Sequence, residues 1–214
     1  MKLADGDRLL FIGDSITDCG RGRPVGQGGR LGDGYVALVD SLLAAWYPER
    51  RIHVLNTGVS GNRVTDLKAR WREDVLDLSP GWLSVMIGIN DVWRQFDSPF
   101  ETHQVSLDLY EATYRALLER TRPRLEGLVL ATPYYVESNR SDPMRIQMDE
   151  YGAVVKRLAG ELGAVLVDVQ AAFDRYLAHR PARSLCDDGI HVNQAGHTII
   201  ARAWLTAAGL DWCV

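Results

Sequence analysis

The chain has 214 residues, 46% hydrophobic and 24% charged, with 28 acidic against 24 basic side chains for a formal charge of −4. That size and balance suit one α/β domain with a substantial core and exclude a disordered chain. Basic residues are scattered rather than gathered in a stripe, which excludes a nucleic-acid footprint. The early apolar run, Leu9 to Ile12, is too short for a signal-peptide core or membrane span, so no membrane association and a cytoplasmic location are expected.

Short apolar runs alternate with helical patterns along the chain. Arg8 to Ile12, Ile52 to Leu55, Leu83 to Ile87, Leu128 to Ala131 and Val165 to Val169 read as strands buried on both faces. Between them, apolar residues recur at helical steps. Val36, Val39, Leu43 and Trp46 form one stripe, ended by Pro48. Val64, Leu67, Trp71, Val75 and Leu78 form a second, ended by Pro80. Tyr110, Tyr114, Leu117 and Leu118 mark a third, and Met144, Met148, Tyr151, Val155, Leu158 and Leu162 a fourth. A last helix starts near Asn193 or Gln194 and runs to about Ala208. This alternation predicts a single-domain, three-layer α/β/α sandwich around a five-stranded parallel sheet. The glycine-rich stretch Gly20 to Gly34 reads as a flexible border.

In such sheets ligands bind beyond the carboxyl ends of the strands, and three of those loops carry unusual residues. Gly13-Asp14-Ser15-Ile16-Thr17 follows the first strand, Asn56 to Asn62 the second, and Gly88-Ile89-Asn90-Asp91 the third. Each alone is also a good turn or helix cap. Near the C-terminus, Asp188 stands three residues before His191, a spacing that lets the carboxylate fold back to the imidazole. Asp187 competes at a spacing of four. His53, His103, His179 and His197 read as structural or surface residues. Gly13-Asp14 with Asp18 also resembles the metal-binding motif of haloacid-dehalogenase-like phosphatases. That reading fails, because Asp5 and Asp7 precede the first strand instead of ending it. Cys19, Cys186 and Cys213 lack metal-like spacing and suggest neither a zinc site nor a disulfide framework.

Taken in order, the four blocks resemble the SGNH hydrolases, also called the GDSL family, over nearly the whole chain. The resemblance implies a flavodoxin-like fold and a serine hydrolase needing no cofactor and no metal. Ser15 would be the nucleophile, His191 the base and Asp188 its orienting partner. The oxyanion hole would comprise the backbone N–H groups of Ser15 and Gly61 and the side-chain amide of Asn90. Val192 departs from the family pattern, in which many members have proline. The segments 66–71, 86–95 and 142–144 are similar to bacterial acetylxylan esterases of the family. They imply a short-chain acetyl ester on a carbohydrate as substrate, with Asp14 and Trp93 as candidate substrate contacts and a homo-oligomer as a possible assembly. Broader carboxylesterase, thioesterase or lysophospholipase activity, or a catalytically silent carbohydrate-binding protein, are the alternatives.

Overall fold

The computed structural model describes residues 3–97 and 104–210. β1 (Arg8–Gly13) is buried over all but its first residue and lies in the middle of the sheet. It pairs in parallel with β3 (His53–Asn56) on one side and β4 (Trp82–Met86) on the other. β5 (Gly127–Ala131) and β6 (Val165–Val167) extend the sheet in parallel beyond β4. Strands covered on both faces are largely apolar, and β4 and β5 are buried at every position.

The sheet nevertheless has six strands, not five, and is mixed. β2 (Gly26–Gln27), from the glycine-rich segment, pairs antiparallel to β3 and completes the order β2-β3-β1-β4-β5-β6. That segment is tied down instead of forming a flexible border. Arg21 is buried and donates from Nε to the carbonyl of Gly58 at 2.7 Å, and from Nη1 to the carbonyls of Gly22 and Pro24.

Helices cover both faces. α2 (Tyr35–Trp46) and α8 (Gln194–Ala207) pack together, and α8 also meets α7 (Val169–Leu177). α3 (Val64–Trp71), α5 (Leu107–Thr121), α6 (Pro143–Leu162) and α4 (Ile89–Asp97) form a second group through successive contacts. Two fully buried indoles find partners, as amphipathic aromatics usually do: Trp71 donates to Thr121 Oγ1 at 2.9 Å and Trp204 to Ser84 Oγ at 3.0 Å, whereas Trp82 Nε1 has none among the described residues.

Caps set several boundaries. Asp142 accepts from Arg145 N–H, Pro143 occupies the first turn of α6, and Gly163 ends that helix in the left-handed conformation. Asn193 caps α8 at the expected start. Two helices escape the sequence pattern. The strand expected to reach Val169 stops at Val167, because the Asp168 side chain accepts from Ala171 N–H and starts α7. α4 begins inside the Asn90 block itself. No helix among the described residues is long and apolar enough to cross a membrane.

Candidate active site

The loops beyond the carboxyl ends of β1, β3 and β4 and the loop before α8 meet at a cleft of about 520 Å³. Its walls include Ser15, Ser60, Gly61, Asn90, Trp93, Arg94, His191 and His197.

Ser15 opens α1 (Ser15–Asp18), a single turn that starts directly beyond β1. The chain can bend so tightly there because Gly13 has no side chain: a Cβ would stand 2.3 Å from the Met86 carbonyl and 2.4 Å from Thr17 Oγ1. Asp14 caps this turn by accepting from Ile16 N–H at 3.0 Å. It is only 1% exposed and is not part of the cleft wall, so its expected role as a substrate contact gives way to a structural one. Burial pushes its carboxyl up to about 7.

Ser15 Oγ lies 3.1 Å from His191 Nε2, and His191 Nδ1 lies 2.6 Å from Asp188 Oδ2. Asp188 Oδ1 accepts the backbone N–H groups of Ile190 and His191 at 2.9 and 2.8 Å, so the three-residue spacing closes a compact loop. Partial burial works to raise the Asp188 pKa, but these hydrogen bonds and the imidazole hold it below the usual carboxylate range. Asp187, the competing carboxylate, is exposed to solvent. The loop keeps its shape without a proline at Val192. Tyr134 donates to the Ile190 carbonyl at 2.8 Å, Val136 N–H to Gly189, and Asn193 N–H to Leu185.

Gly61 has φ +81°, a left-handed conformation that favours glycine, and nothing lies within 4 Å of where its Cβ would be. Asn90 is 2% exposed and donates from Nδ2 to the Asn62 carbonyl at 3.1 Å, which leaves its second amide hydrogen for another acceptor. Next to it, Asp91 accepts Val64 N–H at 3.0 Å, and burial pushes its carboxyl up to about 7. Trp93 stands on the cleft wall, its ring edge-to-face with His191 at 5.8 Å and under the Arg94 guanidinium at 4.6 Å.

Several residues that matter to this geometry carry no signal in the sequence. Arg70 links the end of β1 to the loop beyond β3 by donating to the Gly13 and Thr57 carbonyls and to Asn62 Oδ1, with Asp74 as counter-charge. His197, read as structural or surface, lies in the cleft wall against Cys19, with Nε2 3.5 Å from Sγ. Burial lowers its pKa to about 4. Burial and the nearby carboxylates of Asp18, Asp14 and Asp33 push the Cys19 thiol up to about 12, which keeps it protonated and a poor nucleophile. Cys186 is half-buried, whereas Cys213 lies outside the described residues. No group of three or more His, Cys, Asp or Glu side chains among the described residues could hold a metal ion.

A hydroxyl hydrogen-bonded to an imidazole whose other nitrogen faces a carboxylate can attack an acyl carbon, with amide donors beside it to receive the charge. Known proteins resemble this chain along nearly its whole length. Residues 11–199 match the GDSL-like lipase/acylhydrolase family. An acetylxylan esterase from Geobacillus stearothermophilus is 56% identical, covering 99% of this chain and 98% of that protein. A crystal structure of an acetylxylan esterase from that organism superposes with a TM-score of 0.97 at 55% identity, over 99% of this chain and 98% of the other. An α/β hydrolase from the metagenome of Lake Arreo, Spain, is 50% identical with a TM-score of 0.95, over 97% of both chains. The chain belongs to the GDSL-like lipase/acylhydrolase family.

Proposed function

We propose that this protein is a serine esterase that removes acetyl groups from the xylose units of xylo-oligosaccharides through a covalent acyl-enzyme. The observation that carries the reading is the unbroken relay from Ser15 Oγ to His191, at 3.1 Å, and from His191 to Asp188, at 2.6 Å.

A serine hydroxyl is almost fully protonated at neutral pH, so attack needs a base that takes the proton as the new bond forms. His191 Nε2 is within reach of that proton, and Asp188 accepts from Nδ1, which fixes the tautomer and stabilises the imidazolium. As Ser15 Oγ adds to the ester carbonyl, the carbonyl oxygen becomes an anion. The N–H groups of Ser15 and Gly61 and the free amide hydrogen of Asn90 are the donors for that charge. His191 then returns the proton to the departing sugar oxygen. Water, deprotonated in turn by His191, releases acetate.

Two features support the substrate. The first is the family relative: the Geobacillus protein is an acetylxylan esterase, and its catalytic mutants include replacements of a serine, a histidine and an aspartate by alanine. The second is the cleft itself, where Trp93 offers an aromatic face beside His191 for a sugar ring and Arg94 a cationic rim. The test compares acetylated xylo-oligosaccharides with p-nitrophenyl acetate and p-nitrophenyl octanoate, using Ser15→Ala as control. Higher kcat/KM for acetyl than for octanoyl esters, and acetate release from the oligosaccharides, are expected. A clear preference for long acyl chains would move the protein to the lipases or thioesterases.

A further inference from the structure

α1 carries Ser15 at one end and Asp18 at the other, and Asp18 is only 3% exposed. Its carboxylate reaches out of the helix to the loop beyond β3. Oδ2 accepts the Ser60 N–H and the Ser60 hydroxyl, each at 3.1 Å. Arg23 approaches from the glycine-rich segment in bidentate geometry, with Nη1 to Oδ1 at 3.0 Å and Nη2 to Oδ2 at 2.6 Å. Four donors thus converge on one buried carboxylate. Burial works to raise its pKa, but the Arg23 and Ser60 hydrogen bonds hold it below the usual range and the group stays ionised.

Ser60 directly precedes Gly61. Gly61 is exposed and has no neighbour within 4 Å of its Cβ position, so side-chain packing does not fix the direction of its N–H. That direction depends on what anchors the flanking residues. Downstream, Asn62 is held by Arg70 at Oδ1 and by Asn90 at its carbonyl. Upstream, Val59 is held by its N–H to the Gly13 carbonyl at 3.1 Å and closes a turn by accepting Asn62 N–H at 3.2 Å, and Ser60 itself is held by its two bonds to Asp18.

We propose that Asp18 is a positioning residue of the oxyanion hole: acting through Ser60, it fixes the Gly61 N–H relative to Ser15, which shares its helix, while Arg23 aims and neutralises the carboxylate. This rests on the oxyanion reading given above. The role of Arg23 is twofold. It holds the carboxylate in the plane that serves Ser60, and it cancels a negative charge that would otherwise oppose the developing oxyanion.

The test uses Arg23→Ala and Ser60→Ala, because the Arg23 side chain is 54% exposed and Ser60 is on the surface, so neither change removes a core side chain. The readouts are kcat and KM on p-nitrophenyl acetate, the melting temperature, and inhibition by an alkylboronic acid. The boronic acid adds to Ser15 Oγ as a tetrahedral anion, with the serine proton passing to His191. Each variant should lower kcat about tenfold with KM changed less than about twofold, since donor misplacement is felt in the transition state. Boronic acid affinity should fall by the same factor as kcat/KM, and Arg23→Lys should recover part of the loss. Asp18→Asn, tested where it folds, should exceed both. Wild-type kcat and boronic acid affinity in Arg23→Ala and Ser60→Ala, or a loss confined to melting temperature, overturns the inference. Ser15→Ala run in parallel separates the two levels. If it stays active, the catalytic reading itself fails, whereas an inactive Ser15→Ala with unaffected Arg23 and Ser60 variants removes only the positioning role.

Discussion

The two sides of the cleft are built on opposite terms. On one side the Asp188 and His191 side chains are 40% and 48% exposed, in a loop held by backbone hydrogen bonds. On the other, Asp14, Asp18, Asn56 and Asp91 are all buried, each spending its polar atoms on neighbouring backbone or on an arginine. The difference matches what the proposed mechanism asks of each side. A proton relay must exchange with water and release product, and half-exposed groups with ordinary solvation serve that. Amide donors for an oxyanion must not move as charge develops, and buried, fully hydrogen-bonded groups hold their places because every alternative leaves a polar atom unsatisfied.

Breaking the exposed side should have the largest effect. Ser15→Ala or His191→Ala should lower kcat on the order of 10⁴- to 10⁶-fold, by analogy with other serine triads, and should leave the melting temperature close to wild type. Asp188→Asn should cost less, since nucleophile and base remain and only orientation and imidazolium stabilisation suffer. Near-normal turnover by Ser15→Ala would remove the mechanism.

The next effect falls on the rigid side. Asn90→Ala should lower kcat roughly 10²- to 10³-fold, the scale of one oxyanion donor, with a smaller change in KM. The lost bond to the Asn62 carbonyl should cost about 1 kcal/mol in stability. A large folding defect with near-normal specific activity would make Asn90 a turn residue only.

Much of the exposed side was legible in the sequence because its contacts are local. Asp188 and His191 are three residues apart, and Ser15 follows a strand whose apolar run is unmistakable; Asn90, on the rigid side, stands out for the same reason. The contacts that hold the rigid side were not legible, because the partners are distant: Asp18 meets Ser60, Arg21 meets Gly58, and Arg70 meets Gly13. Nothing in residue type alone distinguishes such an arginine from a solvated one. The short β2 and the start of α7 were missed for a related reason. Two paired residues of a glycine-rich segment have no period, and Asp168 acts as a cap only once the chain has turned.

The smallest effect should be in the pH dependence of stability. The Asp14 carboxyl, pushed up to about 7 from an ordinary 3.8, binds its proton more tightly in the folded than in the unfolded chain. Its contribution is therefore present below pH 4 and is lost as pH rises through 7. Asp14→Asn keeps the cap to Ile16 N–H but carries no such loss. The Asp14 charge also raises the Asp91 pKa, so removing it relieves that group in the same direction. The melting temperature of Asp14→Asn relative to wild type should rise steadily between pH 4 and pH 8. A constant difference would mean that Asp14 is not the buried, proton-holding group described.

In the proposed mechanism Ser15 carries the acyl group during turnover. Acid quenching of the enzyme while it hydrolyses an acetyl ester, followed by peptide mapping by mass spectrometry, tests this directly. Cys19 is the informative rival, since it lines the same cleft. An acetyl group is expected on the Ser15 hydroxyl, absent from Ser15→Ala. Acetyl on Cys19, or full turnover with no acylated Ser15 at any quench time, would contradict the mechanism.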